Sequence, residues 1–238
     1  MSLIITVYSD EGIVMAADSR TTVNGRHSEG DKLIQDFAIH YTETANKIFL
    51  CPNNVGIAVC NDASYNGRLL SGYLQSFILN EIEATTPVSE VPLKLQAFMG
   101  KLSPSPDTLF HVAGYEKVDN VYKAKVWHVI PRQQKVAEIK TEASGATWNG
   151  EIDILVRLLK PVFIQGANGE MQEVKTAAIP WNFFTLQDAV DFAIYAIRTT
   201  IDTMRFQVRP KTVGGPIDIL VLRPNEGYWV KKKTLHAD

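Results

Sequence analysis

Residues 2–20 read SLIITVYSDEGIVMAADSR, and this stretch decides the fold of the chain. Two apolar runs rich in β-branched residues flank the turn Ser9-Asp10-Glu11-Gly12, a pattern that predicts a β-hairpin with strands at 3–8 and 13–18. Because the return strand matches the first in length, Asp18 is expected to lie beside Ser2. An Asp at a strand end is also a common turn former, so the pattern permits this pairing without requiring it.

Ser2 carries its own candidate base if Met1 is removed. The residue then holds a hydroxyl nucleophile and a free α-amine, and an α-amine with a pKa of about 7.7–8.0 can accept the hydroxyl proton near neutral pH. A Lys held by Asp18 would lower the pKa of both groups. The alternative is that a Met-Ser start is merely a common beginning of a gene.

Several further segments match a known family in order and spacing: Asn46-Lys47-Ile48-Phe49, Val55-Gly56-Ile57-Ala58, 108–115, Ala143-Ser144-Gly145-Ala146 and 214–222. With the hairpin, they resemble the β-type subunits of proteasomes and their bacterial relatives, which are N-terminal nucleophile hydrolases. The resemblance implies an α+β fold, a four-layer αββα sandwich. We expect residues 1–238 to form one such domain, since 238 residues with 45% hydrophobic content can bury a full core.

The resemblance also implies catalytic roles. Lys47 matches the catalytic Lys of the family, and Ser144 resembles a Ser that hydrogen-bonds the terminal amine and orders a water. Asp202 is the candidate for an Asp near the nucleophile, although the segment 203–212 is longer than the family spacing; Thr212 is a weaker candidate for a Ser that follows it. Arg20 is expected to be structural, because a planar guanidinium suits a fixed ion pair at the turn.

Each of these residues also has an ordinary structural interpretation. Lys47 suits a solvent-facing edge strand, Ser144 a Ser-Gly turn, and Asp202 the surface of a helix. The oxyanion positions are a departure from the family, which carries a Gly-Gly pair where this chain has Cys60 and Asn61. Their backbone N–H groups can still stabilise an oxyanion, but a Cβ at Cys60 would narrow the path for substrate.

Composition and charge exclude several classes of protein. A net charge of −2 and a pI near 6.2 give no electrostatic footprint for nucleic acid, and no apolar run approaches the roughly 18 residues of a membrane span. Cys51 and Cys60 flank a strand, which favours two buried thiols and a cytoplasmic protein. The five His residues are scattered, so neither a metal nor a cofactor is expected: His27, His40, His111, His128 and His236.

The remaining pattern predicts alternating strands and helices. Strands are expected at 46–51, 54–60, 108–115, 121–130, 134–140, 216–222 and 228–233. Helices are expected from Asp62 or Ser64 to 78, at 92–102, at 149–159, and from Thr185, where Thr185-Leu186-Gln187-Asp188 is similar to a capping box. Residues 21–44 and 161–180 are interpreted as insertions that remodel either a subunit contact or the substrate entrance.

The sequence therefore predicts a proteasome-like endopeptidase of the threonine/serine type. Processed Ser2 would attack peptides or unfolded proteins within a homo-oligomer, either a ring or a spiral, with any unfoldase partner unidentified. Two alternatives remain open: a non-proteolytic N-terminal nucleophile amidase with a closed pocket, and an inactive scaffold that retains Met1.

Overall fold

The computed structural model describes residues 2–30 and 32–235. Its strands, in chain order, are β1 (Leu3–Ser9), β2 (Gly12–Ala17), β3 (Thr21–Glu29), β4 (Lys32–Thr42), β5 (Ile48–Leu50), β6 (Gly56–Asn61), β7 (Ser64–Tyr65), β8 (Arg68–Leu69), β9 (Thr108–Val118), β10 (Val121–Ile130), β11 (Lys135–Ile139), β12 (Gly145–Gly150), β13 (Val162–Gln165), β14 (Met171–Val174), β15 (Asp218–Arg223) and β16 (Glu226–Lys231). The α-helices are α1 (Leu70–Glu81), α2 (Val91–Gly100), α3 (Asp153–Leu159) and α4 (Leu186–Arg205).

Two five-stranded sheets form the framework, one in the order β12-β1-β2-β15-β16 and the other in the order β11-β10-β9-β6-β5. Every strand pair in both sheets is antiparallel. The predicted opening hairpin is confirmed: β1 and β2 pair from Ser9 opposite Gly12 to Ile4 opposite Ala17. The fold is thus mixed α and β with mostly antiparallel sheets.

Three apolar clusters surround these sheets. One joins the first sheet to α3 and α4, and a second joins the other sheet to α1 and α2. The third contains residues of both sheets, among them Ile4 and Met15 from the first and Ala58 and Val126 from the second. Since strands β1 and β2 are almost wholly buried, both of their faces are apolar, which explains the continuous hydrophobic runs in the sequence.

A buried histidine connects the two sheets. The Nδ1 atom of His111 on β9 lies 2.9 Å from the Thr6 hydroxyl on β1, and its Nε2 atom lies 2.7 Å from Asn149 Oδ1 on β12. His128 stacks on this ring with centroids 4.6 Å apart. Burial lowers the pKa of His111 to about 3, so its imidazole is neutral and pairs with neutral partners. His236 lies outside the described residues.

The main helix begins as its sequence predicts. The Thr185 hydroxyl accepts the Asp188 N–H at 3.1 Å, and the Asp188 carboxylate accepts the Thr185 N–H at 2.9 Å, which completes the capping box. The Thr185 hydroxyl also donates to this carboxylate at 2.8 Å, and the two hydrogen bonds that Thr185 donates, from its N–H and its hydroxyl, lower the pKa of Asp188. The face of α4 that carries Ala189, Ala193 and Ile197 is buried and packs on β1 and β2.

Two predicted elements are wrong in part. Residues 145–150 form β12, whereas the sequence suggested a turn followed by a helix from Asn149; pairing with β1 holds them extended, and α3 starts only at Asp153. The helix predicted from Asp62 or Ser64 begins at Leu70, because the small hairpin β7–β8 precedes it. The two insertions are the hairpins β3–β4 and β13–β14.

No helix in the described part of the chain is both long and apolar enough to cross a membrane.

Candidate active site

Asp18 is the centre of the site and follows directly after β2. Its carboxylate is buried and accepts four hydrogen bonds: Leu3 N–H at 3.0 Å and Lys47 Nζ at 2.8 Å reach Oδ1, while Arg20 N–H at 3.1 Å and Gly214 N–H at 3.0 Å reach Oδ2. Three of these donors are backbone groups from separate segments. The carboxylate therefore fixes the start of β1 and the Lys47 ammonium in one place.

Lys47 is buried immediately before β5. Its ammonium donates to Asp18 Oδ1 and to the Arg20 carbonyl, and only 5% of its side chain is exposed. Burial lowers the pKa of Lys47, whereas the charge of Asp18 and its hydrogen bond raise it. Lys47 thus points inward beside a carboxylate and does not lie on a solvent-facing edge.

Ser2 lies where β1 begins and is 3% exposed. It lines a cleft of about 200 Å³ together with Lys47, Cys60 and Asn61. The residue after it, Leu3, donates its backbone N–H to Asp18. The structure therefore brings Ser2, Asp18 and Lys47 together at one end of β1. Met1 lies outside the described residues.

Strand alternation favours Asn61 over Cys60 as the oxyanion donor. The Val59 N–H donates to the Lys47 carbonyl at 2.9 Å. Because hydrogen-bonding direction alternates along an antiparallel strand, the N–H of Asn61, two residues further along, is expected on the same side, and that of Cys60 on the side of β9, where Cys60 pairs with Leu109. The Cys60 thiol contacts the Leu109 carbonyl at 3.6 Å.

The thiol of Cys60 is not an activated nucleophile. Burial raises the pKa of Cys60 to about 12, and the nearby Lys47 charge lowers it only in part. Cys51 is also free and buried, with its pKa raised to about 12 by burial. Within residues 2–30 and 32–235, no group of three or more His, Cys, Asp or Glu side chains has the arrangement of a metal site.

Arg20 connects three segments around the back of Asp18. Its guanidinium donates to the Lys211 carbonyl at 2.9 Å, forms an ion pair with Glu43 and lies 4.7 Å from the centre of the Tyr41 ring. Gly214 passes so close that a Cβ there would lie 2.5 Å from the guanidinium carbon. These contacts are those of a residue that holds the turn after Asp18.

Ser144 requires a correction. It stands next to Gly145, which pairs with Tyr8 at the far end of β1, whereas the Ser2 end of that strand pairs near Gly150. At about 3.3 Å per residue, seven residues of strand place Ser144 roughly 23 Å from Ser2. It lines a different cleft, and a hydrogen bond to the Ser2 amine is excluded at this distance.

Asp202 requires a correction as well. It is exposed on α4, on the side away from the strands that the helix covers, and so does not reach the cleft. Thr212 is buried, but it does not line the cleft around Ser2. The turn-rich segment after α4 explains the error, because it places Arg209 near Ser2 and leaves the helix end outside the site.

Three charged residues that the sequence analysis missed form a cluster that adjoins Ser2 through Glu151. The Ser2 carbonyl accepts the backbone N–H of Glu151 at 2.8 Å. The Glu151 carboxylate pairs with Arg209 at 2.5 Å, and Arg209 also reaches Asp153 at 2.8 Å. The signal that could have found Arg209 was the departure of residues 203–212 from the family spacing; Glu151 carried none.

A second ion pair lies behind Lys47. Asp218, the first residue of β15, is opposite Ala17 and therefore next to Asp18 in the sheet. Its carboxylate accepts the Lys233 backbone N–H at 2.8 Å and pairs with the Lys233 ammonium. The charge of Lys233 contributes to the lowered pKa of Lys47, after the larger effect of burial.

Comparison with known proteins gives structural neighbours alone. No family model matches the chain, and no curated protein matches it either. A mutant of Anbu from Hyphomicrobium sp. strain MC1 superposes with a TM-score of 0.60 at 15% identity, covering 100% of this chain and 88% of that one. Anbu (ancestral beta-subunit) from Yersinia bercovieri gives a TM-score of 0.56 at 14% identity, covering 97% and 87% of the two chains.

These neighbours establish a proteasome-like fold and correct the family assignment. The sequence segments suggested the β-type subunits of proteasomes and their bacterial relatives, but the solved structures named here are Anbu proteins, a distinct family, and no family model matches the chain. The motifs suggested the wrong family because the opening hairpin and the segment 214–222 are features of the fold and not of one family. At these identities the likeness establishes the fold and not an activity.

Proposed function

We propose that this chain is a proteasome-like hydrolase that cleaves peptide bonds with Ser2 as its N-terminal nucleophile, once Met1 has been removed. The observation that carries this proposal is the buried Lys47–Asp18 ion pair, 2.8 Å long, at the cleft that Ser2 lines. A buried ion pair is costly to desolvate, and one placed beside a candidate nucleophile suits the activation of that nucleophile.

The proposed reaction has two stages. The Ser2 hydroxyl oxygen attacks the substrate carbonyl, and the Ser2 α-amine takes the proton, directly or through a water. The Lys47 ammonium favours the alkoxide, and the Asn61 N–H donates to the oxyanion. The amide C–N bond then breaks, the proton on the amine passes to the departing amine of the product, and water hydrolyses the resulting ester.

The proposal extends to the wider organisation of the chain. The two helix-bearing clusters and the cluster shared by both sheets support a four-layer αββα sandwich, formed by residues 1–238 as one domain. A neighbour described as an ancestral beta-subunit supports assembly of this chain into a homo-oligomer, either a ring or a spiral. Peptides or unfolded proteins are the proposed substrates, and the cytoplasm is the proposed location.

The small size of the cleft favours a second candidate. A volume of about 200 Å³ accommodates roughly one amino-acid side chain, which also suits hydrolysis of a small amide. Under this alternative, the chemistry at Ser2 and Lys47 is unchanged and only the substrate differs.

Hydrolysis assays with matched variants test the proposal. Chain that begins at Ser2 is incubated with a panel of fluorogenic peptides and, in parallel, with small acyl amides. We expect turnover that Lys47→Ala abolishes and that Lys125→Ala leaves unchanged, because Lys125 pairs with Glu138 in a different cleft. Near-normal turnover by Lys47→Ala would refute the proposed mechanism, and cleavage of small amides alone would select the second candidate.

A further inference from the structure

Glu151 is placed opposite Ser2 by the sheet itself. Leu3 pairs with Gly150, so the next pair in the β1–β12 register is Ser2 with Glu151, and the 2.8 Å hydrogen bond from Glu151 N–H to the Ser2 carbonyl continues that ladder. The Glu151 backbone is therefore in direct contact with the terminal residue, and its carboxylate belongs to the residue that adjoins Ser2 across the strand pair.

The backbone beside Ser2 leaves no room for adjustment. Gly150 has φ +102°, and a Cβ at this position would overlap the Ser2 carbonyl oxygen. Glu151 itself is only 7% exposed. A buried carboxylate on so constrained a segment keeps a fixed position relative to Ser2.

Arg209 balances the Glu151 charge. Its guanidinium bridges Glu151 at 2.5 Å and Asp153 at 2.8 Å, so one cation serves two carboxylates at the start of α3. A planar guanidinium with two fixed partners is a rigid counterion.

The other charged groups around Ser2 are already accounted for. Lys47 and Asp18 neutralise each other, and burial keeps the Cys60 thiol protonated. Asp62 is exposed at the rim of the cleft. Asp218 and Lys233, beside Asp18, likewise pair with each other. Glu151 is a buried charged residue whose backbone contacts Ser2 directly, and Arg209 is its counterion.

We propose that Glu151 and Arg209 act as a positioning pair that sets the proton affinity of the Ser2 α-amine and so the pH range in which this amine can serve as a base. The inference rests on the proposed function, which requires that amine to be free. Glu151 alone would hold the amine in its protonated form, and Arg209 alone would favour the neutral form. With both present, their opposite effects on the pKa of the amine offset each other, while the Ser2 backbone is fixed by the hydrogen bond from Glu151.

The test titrates the amine without relying on catalysis. The chain is produced with Ser2 first by cleavage of an N-terminal fusion, and the rate at which cyanate carbamylates Ser2 is followed by mass spectrometry between pH 5 and 10; cyanate modifies only the neutral amine. Glu151→Gln should move the midpoint to lower pH and Arg209→Met to higher pH, each by about one pH unit. The double variant should return close to the wild-type midpoint.

A distant ion pair provides the control. Lys125→Met and Glu138→Gln break a pair of the same 2.5 Å length in another cleft and should leave the Ser2 midpoint unchanged. An unchanged midpoint in Glu151→Gln would overturn the inference, as would movement of both single variants in the same direction. Peptide hydrolysis and its dependence on Lys47 are measured separately. If the wild-type chain is inactive but the Glu151 and Arg209 variants still shift the midpoint of the Ser2 amine, the proposed function is refuted, whereas the effect of this charge pair on the amine stands.

Discussion

Removal of the Asp18 carboxylate should cost far more stability than removal of its ionic partner. Asp18→Ala leaves three buried backbone N–H groups, on Leu3, Arg20 and Gly214, without their acceptor. Each such loss costs about 1–3 kcal/mol, and Lys47 is left as an unpaired buried cation, although it can release its proton. We expect a total of about 5 kcal/mol, which is a large part of the roughly 5–15 kcal/mol that stabilises a typical domain.

Lys47→Met should be the milder change. The Asp18 carboxylate keeps its three backbone donors, so it remains hydrogen-bonded, and the expected cost is about 2 kcal/mol, below the roughly 3–5 kcal/mol of an uncompensated buried charge. Urea unfolding followed by circular dichroism measures both variants, with Asp18→Asn as an intermediate that retains one acceptor oxygen. If Lys47→Met proves as destabilising as Asp18→Ala, the assignment of Asp18 as the anchor of three segments is wrong.

Three further predictions concern the surroundings of the site. Gly150→Ala should destabilise the chain and abolish any hydrolysis, since its Cβ would overlap the Ser2 carbonyl. Gly67→Ala is the control: Gly67 also has a positive φ but has open space around it, so this change should cost only about 1 kcal/mol of stability. Thermal unfolding and peptide hydrolysis assays compare the two variants. His111 should weaken the fold in acid, because its pKa of about 3 in the folded chain lies below the value of about 6.5 in the unfolded chain. Its contribution to the free energy of unfolding is complete above pH 6.5 and declines as the pH falls toward 3, because the unfolded chain then binds a proton that the folded chain does not. In urea titrations at pH 7 and pH 4, His111→Gln should therefore lose less stability on acidification than the wild type, and an equal loss would count against this role. Thr185→Ala should cost about 1 kcal/mol by removing the cap of α4, and an unchanged urea midpoint would show that the cap contributes nothing.

The local sequence specified the nucleophile end of the site well. Alternating and continuous apolar runs define β1 and β2, and the short turn between them fixes their register, so the position of Asp18 beside Leu3 follows from one hairpin. The two hairpin strands depend on short-range pairing, which patterns of hydrophobicity report directly. Lys47 was selected through the family resemblance, because its own pattern also suits a solvent-facing edge strand.

The position of Glu151 and Arg209 depends on the register between β1 and β12, two strands far apart in the sequence, and hydrophobic patterns do not report that register. Ser144 was selected from a Ser-Gly pair that resembles a family turn, but β12 pairs with β1 so that Gly150 lies opposite Leu3 and Glu151 contacts Ser2, six and seven residues further along. The sequence of this short strand does not show which of its residues lies opposite Ser2. Arg209 likewise reaches Glu151 from an irregular segment with no periodicity to place it.

The most direct test of the central claim is mass spectrometry of the N-terminal peptide after incubation with a peptide epoxyketone. This reagent forms a stable ring only with a hydroxyl and a free amine on the same residue, so it reports the nucleophile and the base together. The account predicts that Met1 is absent and that the adduct lies on Ser2 in the wild type and is lost in Lys47→Ala. Retention of Met1 in all molecules, with no adduct at Ser2, would contradict it.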